Sequence, residues 1–264
     1  MILPLTRRAL ADSWRSLLVW ALGVAGAVSL YVPLYPSIGG NADMQALLDS
    51  LPPELIKTLN YEDIATGAGY VQSTFYGLLG FVLLVIMAAA WGTGAVAGDE
   101  EAGSLELTLA HGVGRVQLVL ERALAILVKL LVITLVAGGL VLAYDAPAGL
   151  GLEVGDVAAM SASWLGLGVL CATAALALGA LTGRRVWALT AGAGVAVVGY
   201  VLNALANQNA DLDDLHAVSP YYWMVGASPL AEGWDGRGLA LLWGISAALV
   251  AVAALALARR DLKS

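Results

Sequence analysis

Six stretches of this chain are each long and apolar enough to cross a bilayer, and no other feature restricts its fold as much. They run approximately over Leu17–Tyr35, Thr74–Ala97, Ala123–Tyr144, Val157–Leu181, Val186–Ala206 and Leu239–Ala258. A helix covers the hydrocarbon core, about 30 Å, with roughly 20 residues rising about 1.5 Å each. Inside that core every backbone N–H and C=O must find its partner within the protein, which leaves helices or a closed barrel. Ten-residue segments of alternating polarity are absent, so a barrel is disfavoured. The expected fold is all-α: a polytopic membrane protein with six transmembrane helices in one domain over residues 1–264. Composition excludes the alternatives. Only 12% of the residues are charged and 60% are hydrophobic, whereas a soluble domain carries about 25% charged residues and a disordered chain is poorer still in apolar ones.

The charges fix an expected orientation. With six spans, both termini and the loops after spans two and four share one side. That side holds Arg7, Arg8, Arg15, Arg115, Arg122, Lys129, Arg184, Arg185, Arg259, Arg260 and Lys263, and the other holds only Lys57 and Arg237. The positive-inside rule therefore places both termini in the cytoplasm. The outer side collects the acids, among them Asp43, Asp49, Asp145, Asp156, Asp211, Asp213 and Asp214. A net charge of −7 with no clustered basic face argues against nucleic acid as a partner. One cysteine, Cys171, and two distant histidines, His111 and His216, point to no disulfide framework and no metal site.

Between the spans the chain divides into four further segments. Residues 1–16 carry Leu3, Leu10, Trp14 and Leu17 at roughly helical spacing beside Arg7, Arg8 and Arg15. This segment either lies along the inner interface as an amphipathic helix or extends span one into the cytoplasm. In the first outer loop, 36–69, apolar positions between Met44 and Leu59 suggest two short amphipathic helices broken at Pro52-Pro53, a structural lid. The last outer loop, 207–238, carries Ser219-Pro220-Tyr221-Tyr222-Trp223, expected to anchor at the membrane interface. Its acidic run lacks the Gly and closing Glu of a calcium loop and reads as solvated surface.

The cytoplasmic loop, 98–122, is the most informative. Asp99, Glu100, Glu101 and Glu106 place four acids on the side otherwise rich in cations. Ser104 can cap a short helix in which Leu105 and Leu109 share one face and Leu107 is offset. Gly112 and Gly114 end that helix, and Arg115 opens the next one. A short helix projecting from the bilayer must bury its leucines, and with no soluble domain in the chain a partner protein is the economical answer.

The run Asp99, Gly103, Ser104, Leu105, Glu106, Leu107, Leu109, Val113 and Arg115 between spans two and three resembles the loop of permease subunits of ABC-2-type ABC transporters. Gly112 stands where that pattern has proline. Leu51-Pro52-Pro53, Ser219-Pro220 and the terminal Arg259-Arg260-Asp261-Leu262 also look similar. The resemblance implies a non-catalytic, exporting permease in the cell membrane, in contact with its lipid and paired with a second permease subunit as a homodimer. It also implies that the loop is a coupling helix docking ABC ATPase subunits. The docking set is then Asp99, Glu101, Gly103, Ser104, Leu105, Glu106, Leu107, Leu109 and Arg115, with ATP and Mg²⁺ held by the ATPase and no cofactor in this chain. A membrane scaffold or assembly factor that associates with an ATPase, for example in metalloenzyme maturation, and moves no cargo is the alternative.

What the chain lacks is consistent with that reading. It has no Gly-x-x-x-x-Gly-Lys-Ser/Thr phosphate loop, no Gly-x-Ser-x-Gly elbow and no His-Glu-x-x-His motif. No ladder of charges lines the spans, which weakens proton- or voltage-driven transport. Lys129 is the single charge at bilayer depth; it either snorkels to the inner interface or touches a substrate. Gly94 and Gly98 have the four-residue spacing of close helix packing.

Overall fold

The structure, a computed structural model, describes residues 3–38, 63–110 and 112–260. The helices expected between Met44 and Leu59, the Pro52-Pro53 break, His111 and Asp261-Leu262 lie outside the described residues. Among the described residues the secondary structure is helical throughout, with no strand.

The short helix α1 (Pro4–Asp12) is separated by Ser13 from α2 (Trp14–Tyr31). A continuous helical stretch, α3, covers Gly67–Glu101. Then come α4 (Ser104–Ala110), α5 (Arg115–Ala148), α6 (Val154–Thr182), α7 (Arg185–Gln208), the one-and-a-half-turn α8 (Pro220–Val225) and α9 (Gly236–Arg259). Six of these helices are long and apolar enough to span a membrane, the first as Trp14–Ser37 and the others as α3, α5, α6, α7 and α9. Apolar character fixes where a span must lie but not where its helix stops. Helix α5 has 34 residues, about 51 Å at about 1.5 Å per residue, well beyond a core of about 30 Å. Similarly, α3 starts at Gly67 and runs through Asp99–Glu101, past the Thr74–Ala97 limits set by hydropathy.

Helix α6 is the axis of the bundle. Its most apolar window is 83% buried, against 22% in both the first and last spans, and α9, α7, α3 and α5 pack around it. Small residues allow the close approaches. A side chain at Gly92 would strike the Ala172 carbonyl and Ala175, and one at Gly192 would strike the Cys171 carbonyl. Trp164, fully buried on α6, packs its ring against Phe75 and Tyr76 of α3 at centroid distances of 6.3 and 6.1 Å. The Gly94/Gly98 spacing, a chance match in a chain this rich in Gly and Ala, marks no close approach: no atom lies near the missing side chain of Gly94, and both residues sit in a π-helical turn.

The bundle thus has two ends. One carries α1, α4, the α6–α7 turn and the C-terminus of α9. The other carries the α5–α6 turn and the segment joining α7 to α9. There Tyr221 is buried, donates to the Gly77 carbonyl at 2.9 Å and meets the rings of Phe81 and Tyr200. It is therefore a core residue, not the interface anchor expected from the Pro-Tyr-Tyr-Trp run.

Candidate functional site

The segment joining α3 to α5 is built from helix ends and charge. After Glu101 the chain turns through Gly103 at φ +69°, a left-handed conformation that glycine adopts freely, and the Gly103 N–H donates to the Glu100 carbonyl at 3.0 Å. Helix α4 begins at Ser104 itself, one residue earlier than a cap there would give, and the Ser104 hydroxyl donates back to the Asp99 carbonyl at 3.1 Å. Gly112, at φ +82°, receives the chain as α4 ends. Proline holds φ near −65°, so the backbone at 112 takes a course that the proline of the family pattern could not.

Each of the three clustered acids meets a different part of the bundle. Asp99 pairs with Arg122 of α5 at 2.6 Å. Glu100 pairs with Arg260, beyond the end of α9. Glu101 accepts the Arg185 backbone N–H at 2.9 Å, placing a carboxylate on the unsatisfied first turn of α7, where both the hydrogen bond and the helix dipole favour it. Two arginines complete the array. Arg115 donates to the carbonyls of Leu257, at 3.2 Å, and Arg260, at 2.5 Å, while Arg260 also donates to the Ala180 carbonyl of α6 at 2.8 Å. Cations thus sit on the carbonyl-rich C-terminal ends of α6 and α9, the sign the dipole favours there. The loop is fastened to α5, α7 and the end of α9, and Arg260 ties that end to α6.

Within α4 the leucines separate. Leu105 is completely buried in the chain's own core, Leu109 and Val113 are half-buried against it, and Leu107 is 66% exposed. The expectation that the chain offers these leucines no home is therefore corrected for Leu105, which the chain's own core receives. The exposed face of α4 presents Glu106, Leu107 and Ala110, with Gly103 and Glu101 beside it. Of the docking set read from sequence, Glu101, Gly103, Glu106 and Leu107 are exposed, Leu105 is interior, and Asp99, Ser104 and Arg115 make contacts within the chain. The sequence reading placed Glu100, Arg122, Arg185 and Arg260 on this side but gave none of them a place in the docking set. The acid run signalled that cations must lie near, but not which ones.

The α1 helix is bound to the same region. The Thr6 N–H donates to the Glu121 carboxylate at 2.9 Å, and the Thr6 hydroxyl donates to the Glu121 carbonyl at 3.1 Å. The carboxylate of Glu121, only 3% exposed, also accepts from Gln117 at 2.8 Å. A buried carboxylate is tolerable where several donors satisfy it, and this one fixes the first turn of α1 against α5. Between α1, α3, α4 and α5 a cleft of about 610 Å³ remains open, lined among others by Arg8, Trp91, Arg122 and Lys129. Lys129 does not snorkel out to the surface. It is 7% exposed, and its ammonium lies over the Trp91 ring, 4.7 Å from the centroid.

Six helices long and apolar enough to span a membrane are thus joined, between the second and third, by an acidic loop with an exposed turn of helix at its tip. The family model described as ABC-2 family transporter protein matches residues 3–262, nearly the whole chain. The chain belongs to the ABC-2 transporter family. No curated protein matches it significantly. Family membership makes it a multi-pass membrane component of an ABC transporter.

Proposed function

We propose that this chain is the membrane-spanning subunit of an ATP-driven ABC-2 exporter, with both termini and the α3–α5 loop in the cytoplasm. Two copies pair as a homodimer and form the transport pathway between them. Each copy receives one ATPase on the exposed face of α4, at Glu106 and Leu107 with Glu101 and Gly103 beside them. ATP and Mg²⁺ belong to that ATPase.

The observation that carries this reading is the fastening of the loop. A segment that only joined two spans would not need its acids paired to α5, α7 and the end of α9 while α4 itself stays outermost. With those ties, a push on α4 is delivered to several helix ends at once. Shear between packed helices is a recognised way of alternating between two arrangements of such a bundle. Asp99, Glu100, Arg115 and Arg260 then transmit force and do not touch the partner. The docking set of the sequence reading contracts to the residues that α4 and its N-terminal turn expose.

Cross-linking tests this. Cys171 is fully buried, so Leu107→Cys supplies a single reactive thiol. In native membranes a thiol-to-amine cross-linker at that position should capture a protein bearing a phosphate-loop motif, and an impermeant thiol reagent should label it from the cytoplasmic face alone. Capture of this chain only, or labelling from the outer face, would contradict the docking or the orientation respectively. Stimulation of the associated ATPase by a cargo distinguishes an exporter from a scaffold, which shows none.

A further inference from the structure

We propose that the cleft between α1, α3 and α5 is a binding site for a phosphate-bearing anion, seated against Lys129 and Arg122. Three cations, Arg8, Arg122 and Lys129, and two carboxylates, Asp12 and Asp99, line it. Asp12 is paired with Arg8 at 3.6 Å and Asp99 with Arg122 at 2.6 Å. Lys129 is left over. Among the described residues no carboxylate pairs with it and no acceptor takes a hydrogen bond from it; its ammonium lies over the face of Trp91, with the like charge of Arg122 in the same cleft. A charge largely withdrawn from water without a counter-charge is costly, and a ring face offsets little of what an ion pair and hydrogen bonds supply. Glu121, although adjacent to Arg122 in sequence, is bound to Thr6 and Gln117 and does not line the cleft. The Nε of Arg122 is a buried donor with no partner in the structure.

The cleft therefore has one positive charge to neutralise and N–H donors to satisfy, which a singly charged group with several oxygens accomplishes. A phosphodiester carries one negative charge and accepts from both Lys and Arg. Leu5, Ala90, Ala95, Val113 and Ile126 supply an apolar part of the wall, beside Ser13, Ser104 and Thr108, and that part suits the glycerol and first acyl carbons of a phospholipid. A volume of about 610 Å³ holds a headgroup but not a whole lipid, so the tails would leave the cleft along the helices. A free phosphate ion would satisfy the same donors.

The test uses the full chain with whatever subunits copurify, reconstituted in phosphatidylcholine nanodiscs with or without phosphatidylglycerol. Wild type should retain phosphatidylglycerol on release for native mass spectrometry about tenfold better than Lys129→Met, as expected for losing a charged hydrogen-bond donor, and Lys129→Arg should restore retention. Ala9→Glu, which sets a competing carboxylate at the partly exposed cleft wall, should reproduce the loss without altering the core. In the second arm, inorganic phosphate is titrated in phosphatidylcholine alone. A rise in unfolding temperature for wild type and Lys129→Arg, but not for Lys129→Met or Ala9→Glu, without any phosphatidylglycerol preference, would support the site with a free ion as occupant. Equal behaviour of wild type and both charge-altering variants in the two arms would overturn the proposal.

Discussion

The two ends of this bundle are closed by different chemistry. At the termini-bearing end the fastenings are ionic: carboxylates of Asp99, Glu100 and Glu101 and guanidinium groups of Arg115, Arg122 and Arg260 meet one another or the bare ends of helices. At the far end the buried ones are neutral, beside the part-buried Asp145 carboxylate, which accepts the Leu152 N–H at 2.8 Å, and an exposed contact of Asp213 with His216 at 3.0 Å. Tyr221 bonds to Gly77, and Ser219 donates to the Gly199 carbonyl at 2.7 Å. Gln72 accepts from the Leu230 N–H at 3.2 Å, and Phe81, Tyr200 and Tyr221 stack edge and face. Charged ties hold helix ends in register yet can be exchanged for other charges or for water at modest cost. Buried aromatic contacts with neutral hydrogen bonds have no such substitutes. Under the proposed function, the end that carries α4 and its exchangeable ties is the one that receives the ATPase, and the end that carries α8 holds the bundle together.

Substitutions can break or sharpen that contrast. The largest effect is expected from Leu105→Asp, which sets an unpaired carboxylate in the core beneath α4. A buried unpaired charge costs about 3–5 kcal/mol, so the variant should lose its monodisperse folded peak in fluorescence-detected size exclusion. Next, Arg260→Met leaves Glu100 and the Ala180 carbonyl without their donor. Hydrogen bonds to charged groups contribute about 1.5–3 kcal/mol, so thermal unfolding in detergent should fall accordingly. A double cycle with Glu100→Gln should return a coupling that shrinks as salt is raised. Tyr221→Phe removes one neutral buried hydrogen bond and should cost about 1 kcal/mol, with no dependence on salt. If the Tyr221 variant proved salt-sensitive, or the Arg260 variant insensitive, the division between the ends would fail.

The sequence made the spans plain because a bilayer demands long apolar runs, and each of the six stretches falls on one of the six candidate helices. It also marked the start of α4 to within one residue and the helix opening at Arg115. Three things were not legible. The ends of α3 and α5 extend beyond the apolar runs because, outside the hydrocarbon, helix and loop can both satisfy their backbone groups, so hydropathy no longer sets the boundary. Leu105 and Leu107 are two residues apart and identical in type, and only the tertiary packing decides that one is buried and the other exposed. The ionic array joins Glu101 to Arg185 and Glu100 to Arg260 across the bundle. Which cation reaches which acid depends on the lateral order of the spans around α6, and periodicity carries no information on that order.

Leu107→Asp is the decisive variant, because it changes the exposed face of α4 without touching its anchors. Surface substitutions of this kind stay within about 0.5 kcal/mol of wild type. The measurement is the stoichiometry of ATPase copurifying from native membranes, with the ATPase identified by mass spectrometry and the fold checked by thermal unfolding. The account predicts an unchanged melting profile and loss of the ATPase. A fully loaded complex with normal stoichiometry in Leu107→Asp would contradict docking at α4.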